Sequence, residues 1–284
     1  MPWPFDRDFM RLALAAGVVV GLCAPLIGTF LVQKRLSLLG DGRGHVAFAG
    51  VAGGVLVGVW PVWTAMAAAV AAAVVIERLR SRGRAPGDLV LALFFYSGIA
   101  AGIVLLGLAH GVDANLFAYL FGSILTVTPG DVGLIAVLGV VVLVVVGVSW
   151  RALFTVILDE EAARAAGLPV DTLNTVLAVL AAVVVVAAMR VVGILLVAAL
   201  MVLPVASAQL VARSFVACLR WSAVVGVVSV VVGLGSARAA DLAPGGAIVL
   251  VAAAIFAVLA MLRSGRRAQL AFARGHETGR AGPP

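Results

Sequence analysis

An aspartate and a histidine stand four residues apart in the segment LLGDGRGHVAFAG, residues 38–50. On a helix this spacing places Asp41 and His45 on one face, about one turn apart. A carboxylate oxygen and a neutral imidazole nitrogen together suit divalent metals such as Zn²⁺, Mn²⁺ and Fe²⁺. Two ligands do not complete a site, so other residues or a second chain must contribute. The same spacing also fits an Asp41 that caps its helix and a His45 that is simply polar at a membrane interface.

A second segment, ILDEEAARAAGLPVDTLN, is acidic at its start. Asp159, Glu160 and Glu161 fall at the beginning of an Ala-rich stretch, where negative charge suits the helix dipole. Gly167 and Pro169 then end the helix. We therefore predict a short amphipathic helix in a loop. It is either a docking element for a soluble partner or a solvated connection between two longer helices.

Two further segments depart from plain apolar sequence. In residues 189–212, Gly193 and Pro204 interrupt the apolar pattern, and a proline in a membrane helix frees carbonyl groups that can line a cavity. A tolerated kink explains this segment equally well. The short segment AYLFGSIL follows His110 and Asp113, which either contact cations at an outer face or satisfy each other in a loop.

Several kinds of catalytic chemistry are excluded by what the chain lacks. Its one lysine, Lys34, does not follow a glycine-rich phosphate loop, so the chain has no Walker A motif and cannot be an ATPase of that class. It also has no HExxH or GxSxG motif. We therefore expect a protein that is not an enzyme and binds no cofactor of its own.

The elements that must position these residues are membrane helices. The chain has 64% hydrophobic residues, 12% charged residues and a mean hydropathy of +1.21, which excludes an ordinary soluble domain. A spanning helix needs about 20 apolar residues. We predict an all-α polytopic membrane protein with about nine transmembrane helices, although eight or ten are also compatible with the pattern. The stretches without charge are 12–33, 44–76, 89–112, 114–130, 132–150, 172–189, 191–212, 221–237 and 242–262.

The positions of the cations predict the orientation. The net charge of +7 reflects arginines in short loops, which indicates positive-inside topology rather than binding to nucleic acid. Arg78, Arg80, Arg82 and Arg84 mark a cytoplasmic loop. The motif Trp60-Pro61-Val62-Trp63 divides 44–76 into two spans that meet outside. This leaves four cations on the outer side, together with the N-terminus: Arg7, Arg11, Arg190 and Arg238.

The domain organisation follows from this topology. We expect one transmembrane permease domain over residues 1–262, with a cytoplasmic loop at 151–172. A basic tail at 263–284 is expected to be cytoplasmic and disordered. The segment 116–128 is too short to span, so we expect it to re-enter the membrane or lie against the outer side of the bundle.

Four segments, in the same order along the chain, resemble the permease subunits of ABC importers for zinc, manganese or iron(II), the family often called ABC-3. LVQKRLSLLGDGRGHVAFAG is similar to the family's basic and LLGD-x-x-SHA signature, with Asp41 and His45 in the matching places. AYLFGSIL is similar to its LFG-x-IL segment, and VVGILLVAALMVLPVASAQL to its late-helix signature. The chain departs from the family at Gly44, where serine is usual, and at Ser123, where an acidic residue is common.

This resemblance implies a type II importer architecture and a homodimeric permease in the cytoplasmic membrane of a prokaryote. Two ATPase subunits on the cytoplasmic face would bind ATP, and an extracytoplasmic metal-binding protein would deliver the metal. Asp41 and His45 would belong to the translocation pathway. DEEAARAAGLPVDTLN resembles the loop that docks on the ATPase, which implies a docking role for six residues: Asp159, Glu160, Glu161, Ala162, Arg164 and Gly167.

Other transporter classes remain open on the sequence alone. One is an ABC permease for metal chelates such as siderophores or cobalamin, although such a permease gives no reason for the LLGD and histidine segment. Another is a secondary metal transporter that works without ATP. Secondary transporters often contain inverted repeats, and we find no convincing repeat between the two halves of this chain.

Overall fold

The computed structural model describes residues 4–34, 39–81, 87–109 and 114–278, with side chains except at 39–43, 87–88, 114–117, 195 and 265–278. Every regular element in this part of the chain is helical, which confirms the predicted all-α class. The eleven helices are α1 (Asp8–Gln33), α2 (Leu39–Val57), α3 (Pro61–Ser81), α4 (Gly87–Leu108), α5 (Ala114–Phe121), α6 (Pro129–Leu158), α7 (Glu160–Ala165), α8 (Val170–Ala188), α9 (Ile194–Val211), α10 (Phe215–Ala240) and α11 (Pro244–Thr278).

Seven of the described helices are long and apolar enough to cross a membrane: α1, α3, α4, α6, α8, α10 and α11. Two shorter apolar helical segments, Gly44–Val57 in α2 and Leu196–Val211 in α9, complete the nine predicted spans if they also cross. The helices α5 and α7 have eight and six residues, too few to span. The number nine therefore depends on α2 and α9.

The break predicted at the tryptophan-proline motif is present. Helix α2 ends at Val57, and Gly58 has a φ of +72°, a value that glycine adopts without strain. Helix α3 then begins at Pro61, where the missing N–H of proline costs no helical hydrogen bond. The apolar stretch 44–76 is thus two helices joined by a tight turn.

The helices extend beyond the charge-free stretches. Helix α6 includes Asp131 and Arg151, and α10 includes Arg220 and Arg238. Helix α11 continues past Leu262 to Thr278, within the segment expected to be a basic tail. A charged residue marks the end of an apolar stretch, but it does not end a helix, because arginine and aspartate are tolerated near helix ends.

Helix α1 lies at the centre of the bundle and packs against α6, α8, α9 and α10, while α2 packs against α3 and α4. Most of α1 and α8 is buried by neighbouring helices. The largest fully buried side chains include Phe30 and Ile27 of α1. The most exposed spans, α4, α6 and α11, carry their apolar residues on the outside, as expected for helices that face lipid.

Polar contacts fall at two opposite ends of the bundle. At one end, here called the Lys34 end, Lys34 after α1 contacts Asn174 near the start of α8. At the other, the Arg190 end, Arg190 after α8 contacts Asp131 near the start of α6. Since α8 runs from the first end to the second and α6 runs back, these two consecutive long helices run in opposite directions, as the predicted topology requires.

Candidate metal site and docking loop

Asp41 and His45 both lie on α2, so the predicted helical spacing of four residues is present. The side chain of Asp41 is outside the described part of the chain. His45 is half-buried, and its ring packs against Phe95 of α4 with 4.2 Å between ring centroids and 68° between the planes. This edge-to-face contact fixes the side of α2 on which the imidazole lies.

The helices α2 and α4 cross closely at His45 because α4 has a glycine there. A Cβ atom at Gly98 would lie 2.8 Å from the carbonyl carbon of His45, closer than a real side chain can approach. Small residues allow this kind of backbone contact between membrane helices. The crossing therefore holds the backbone at His45 against α4.

Helix α9 approaches the same region from another side. Gly44 is buried, and a Cβ atom there would lie 3.3 Å from the carbonyl oxygen of Ile194, the first residue of α9. The family that this chain resembles usually has serine at this position. Any side chain at residue 44 must therefore fit against the backbone at the start of α9.

The start of α9 in turn packs against the segment that follows α5. Gly193 has a φ of +89°, and a Cβ atom on it would lie 2.3 Å from the carbonyl oxygen of Leu120. A Cβ atom at Gly122 would lie 2.3 Å from the carbonyl oxygen of Val191. The backbone N–H of Ser123 donates to the carbonyl oxygen of Arg190 at 3.3 Å.

Three of the four segments singled out in the sequence therefore meet in a continuous set of backbone contacts. They are the segment around His45, the start of α9, and the turn at Gly122 and Ser123. The described side chains contain no group of three or more histidine, cysteine, aspartate or glutamate residues that could hold a metal alone. His45 is the one residue of these four types within that set whose side chain is described.

A buried ion pair braces the turn between α8 and α9, and sequence reasoning did not identify it. Arg190 donates to both carboxylate oxygens of Asp131, at 3.2 and 2.8 Å. Asp131 also accepts from the N–H and the hydroxyl of Thr128, at 2.9 and 2.8 Å, in a capping box at the start of α6. Arg190 further donates to the carbonyl oxygen of Thr126 and lies over the ring of Tyr119, 5.1 Å from its centroid.

The predicted short helix in the docking loop is present as α7. Asp159 caps it by accepting from the N–H groups of Glu161 and Ala162, at 2.9 and 3.0 Å. Gly167 follows the helix with a φ of +80°, which explains why a glycine ends it. Both features were predicted from the residue types.

Five of the six residues expected to dock are exposed, and one is directed inward. Helix α7 packs against the bundle through the buried Ala163, which contacts Val156 and Val170. Glu160 is only partly exposed. The exposed residues are Asp159, Glu161, Ala162, Arg164 and Gly167.

The inward-facing Glu160 binds Lys34, the single lysine of the chain. The Nζ atom of Lys34 lies 2.6 Å from Oε1 of Glu160, and it also donates to the Oδ1 atom of Asn174. Burial lowers the pKa of Lys34, while the contact with Glu160 opposes this effect. Burial alone would raise the pKa of Glu160, but the hydrogen bond and charge of Lys34 outweigh it and hold the pKa below its usual value.

A cavity of about 630 Å³ opens beside this cluster, between the ends of α1, α6, α9 and α10 at the Lys34 end. Its polar lining includes Gln33, Gln209 and Arg213, and its apolar lining includes Phe154 and Phe215. The loop that contains α7 therefore lies next to an open face of the bundle.

Comparison with known proteins identifies a family and several relatives of this chain. The profile of the ABC 3 transport family matches residues 6–263. The manganese transport system membrane protein MntC of Halalkalibacterium halodurans is 31% identical over 251 residues, which cover 88% of this chain and 86% of MntC. The manganese import system permease protein ScaB of Streptococcus gordonii is 31% identical over 253 residues, covering 89% and 91%.

Two solved structures are similar in fold. A chain of PsaBC from Streptococcus pneumoniae, solved in complex with Fab, superimposes with a TM-score of 0.81 and 31% identity, covering 89% of this chain and 91% of that one. A metal-chelate type ABC transporter in an inward-facing conformation gives a TM-score of 0.67 over 89% and 87% of the two chains. Its identity of 19% supports the fold alone.

Proposed function

The chain belongs to the ABC 3 transport family, and we propose that it is the permease subunit of an ATP-driven importer of divalent metal ions, with manganese as the leading substrate. Relatives that are 31% identical over most of the chain are named for manganese transport. A carboxylate with an imidazole also binds zinc and iron(II), so those metals are the competing substrates.

The observation that carries this proposal is the chain of backbone contacts that links α2 at Gly44, the start of α9 and the turn after α5. A bundle of plain apolar helices does not require three segments that depart from apolar sequence to approach so closely that their backbones touch. In our proposal Asp41 and His45 bind the metal during its passage, from adjacent turns of α2. Ionisable groups at membrane depth are costly and are normally retained for function.

The partners follow from the same proposal. A separate ATPase binds the exposed residues of α7, and an extracytoplasmic metal-binding protein delivers the metal to the Arg190 end. Two copies of the permease form the complete path, and the second copy supplies ligands in addition to Asp41 and His45 of the first. The protein resides in the cytoplasmic membrane, with the Lys34 end facing the cytoplasm.

The direct test is metal uptake by the reconstituted complex of permease and ATPase. We expect ATP-dependent uptake of manganese into proteoliposomes, with less uptake of zinc and iron(II). The double variant D41A/H45A should abolish uptake while leaving co-purification with the ATPase intact. The matched control is H276A, which removes a histidine from the basic tail and should transport at the native rate. Normal transport by D41A/H45A would show that the site assignment is wrong.

The same preparation separates this proposal from its alternatives. An ATP-independent transporter would take up metal in liposomes that contain no ATPase. A permease for metal chelates would transport a siderophore or cobalamin and leave free manganese outside. The proposal predicts neither result.

A further inference from the structure

The contact between Lys34 and Glu160 joins the docking loop to the helix that leads into the candidate metal site. Lys34 directly follows α1, and residue 39 begins α2, so only four residues separate Lys34 from that helix. Asp41 is seven residues beyond Lys34. Lys34 is therefore close in sequence to the helix that carries the two candidate ligands.

The environment of Lys34 shows that its ammonium group depends on this contact. The side chain is only 6% exposed, whereas that of Glu160 is 40% exposed. A buried charge needs a partner, because removing it from water without one costs several kcal/mol. Lys34 must therefore follow Glu160 when α7 moves, or lose its only carboxylate contact among the described residues.

Asn174 of α8 contacts both members of this ion pair. Its Oδ1 atom accepts from Lys34, and its amide donates to Oε1 of Glu160 at 3.3 Å. The charges of Arg80 and Glu77, near the end of α3, also act on Lys34. Segments from α1, α7 and α8 thus meet at a single buried ammonium group.

A second ion pair in the same loop, exposed to solvent, serves as a comparison for the buried contact of Lys34. Arg164 of α7 binds Asp171 of α8, and both side chains are more than half exposed, at 52% and 57%. This pair joins α7 to α8 alone and lies in water. Surface pairs of this kind contribute little and transmit little.

We propose that the Lys34–Glu160 contact couples the ATPase to the metal site, with both residues acting as positioning residues. This inference rests on the proposed function. When the ATPase subunits close and move α7, Glu160 displaces Lys34, and the connection to α2 shifts the helix that carries Asp41 and His45. Loss of the contact leaves ATP hydrolysis running without a matching movement of metal.

The test is the ratio of manganese taken up to ATP hydrolysed, measured on the full complex in proteoliposomes. We expect K34M to lower this ratio about tenfold or more, since one charge-assisted hydrogen bond corresponds to at least a tenfold change in an equilibrium. K34R keeps the charge and should restore most of the ratio, and the charge swap K34E/E160K should restore part of it. D8N removes the exposed Arg11–Asp8 pair at the other end of α1 and serves as the control outside the loop, with a native ratio.

The outcomes distinguish this inference from the proposed function. A native ratio in K34M would overturn the coupling role alone. Failure of both K34M and K34E/E160K to assemble with the ATPase would show a purely structural contact and would also overturn it. If the unmodified complex hydrolyses ATP but takes up no manganese, zinc or iron(II), the proposed function is wrong, and this inference falls with it.

Discussion

Replacing Arg190 with methionine tests whether the Arg190–Asp131 pair holds the turn beside the candidate metal site. The carboxylate of Asp131 is 1% exposed and the guanidinium of Arg190 is 15% exposed, so water reaches neither group freely. Asp131 accepts four hydrogen bonds, two from Arg190 and two from Thr128. R190M removes the first two and leaves a buried carboxylate with the other two.

The expected cost follows from this count. Removing one partner of a buried ion pair destabilises a protein by about 3 to 5 kcal/mol. Because Asp131 keeps the two bonds from Thr128, we expect R190M to fall near the lower limit, at about 3 kcal/mol. D131N should cost about as much, since it leaves the cation unpaired. In the double variant R190M/D131N no buried charge is left without a partner. Its loss of stability should therefore be about 2 kcal/mol smaller than the summed losses of the two single variants.

The assay is unfolding of the purified permease in mixed micelles titrated with SDS, followed by tryptophan fluorescence and circular dichroism. The control is R11Q, which breaks the contact between Arg11 and Asp8, two side chains that are 48% and 95% exposed. R11Q should cost less than about 1 kcal/mol. If R190M is no more destabilising than R11Q, or if R190M and D131N are simply additive, the pair does not stabilise the fold as argued.

Three further predictions concern packing, pH and topology. Gly245→Ala places a Cβ atom 1.9 Å from a backbone oxygen, so it should cost about 3 kcal/mol or more and lower the melting temperature, whereas Gly246→Ala, with nothing within 4 Å, should leave it unchanged. The pKa of Glu160 is lower in the folded protein than in the unfolded chain, so this residue contributes stability above about pH 4.3. That contribution is lost as the pH falls through the folded pKa. The melting temperature, measured from about pH 7 to about pH 3, should therefore depend less on pH in E160Q than in the native protein. A cysteine at Val59 should react with an impermeant maleimide in intact cells and one at Ser81 should not, and the reverse pattern would invert the topology.

Much of the fold could be predicted because membrane helices follow from local composition. The apolar stretches predicted each long helix, and the tryptophan-proline motif predicted the break between α2 and α3. The short helix α7 was predicted from three acidic residues and a glycine, and the structure shows the matching cap and positive φ. These features depend on residues that are neighbours in the sequence.

The polar contacts of the site could not be predicted in the same way, because their partners are distant in sequence. Lys34 and Glu160 are 126 residues apart, and Asp131 and Arg190 are 59 apart. Each of these residues has a local explanation in the sequence: Glu160 suits a helix dipole, and the others lie at the edges of apolar stretches. Only the packing of α1, α6 and α8 brings the partners together, and no pattern in one sequence specifies that packing.

One local signal was nevertheless available for Asp131. The sequence Thr128-Pro129-Gly130-Asp131 has the spacing of a capping box, with proline at the first helical position. Recognising it would have begun α6 at Pro129 rather than at Val132, and would have placed a carboxylate at the Arg190 end.

The carboxylate of Asp131 is the partner of one of the four cations on the predicted outer side. The positive-inside rule counts lysine and arginine rather than net charge, so these four remain exceptions to it. In the structure each of them has a partner. Arg7 lies 3.9 Å from Asp6, Arg11 lies 3.4 Å from Asp8, and Arg190 binds Asp131. Arg238 lies over the ring of Phe9, 5.5 Å from its centroid.

Burial divides these exceptions into two kinds. Arg7 and Arg11 lie in water, where an ion pair is worth little and the cation needs no partner to be tolerated. Arg190 is buried, and a buried guanidinium is retained only where its hydrogen bonds are satisfied. Arg238 contacts an aromatic ring, whereas the hydrogen bonds of Arg190 are satisfied by a carboxylate on another helix. That carboxylate belongs to Asp131, beside the turn that contacts the candidate metal site.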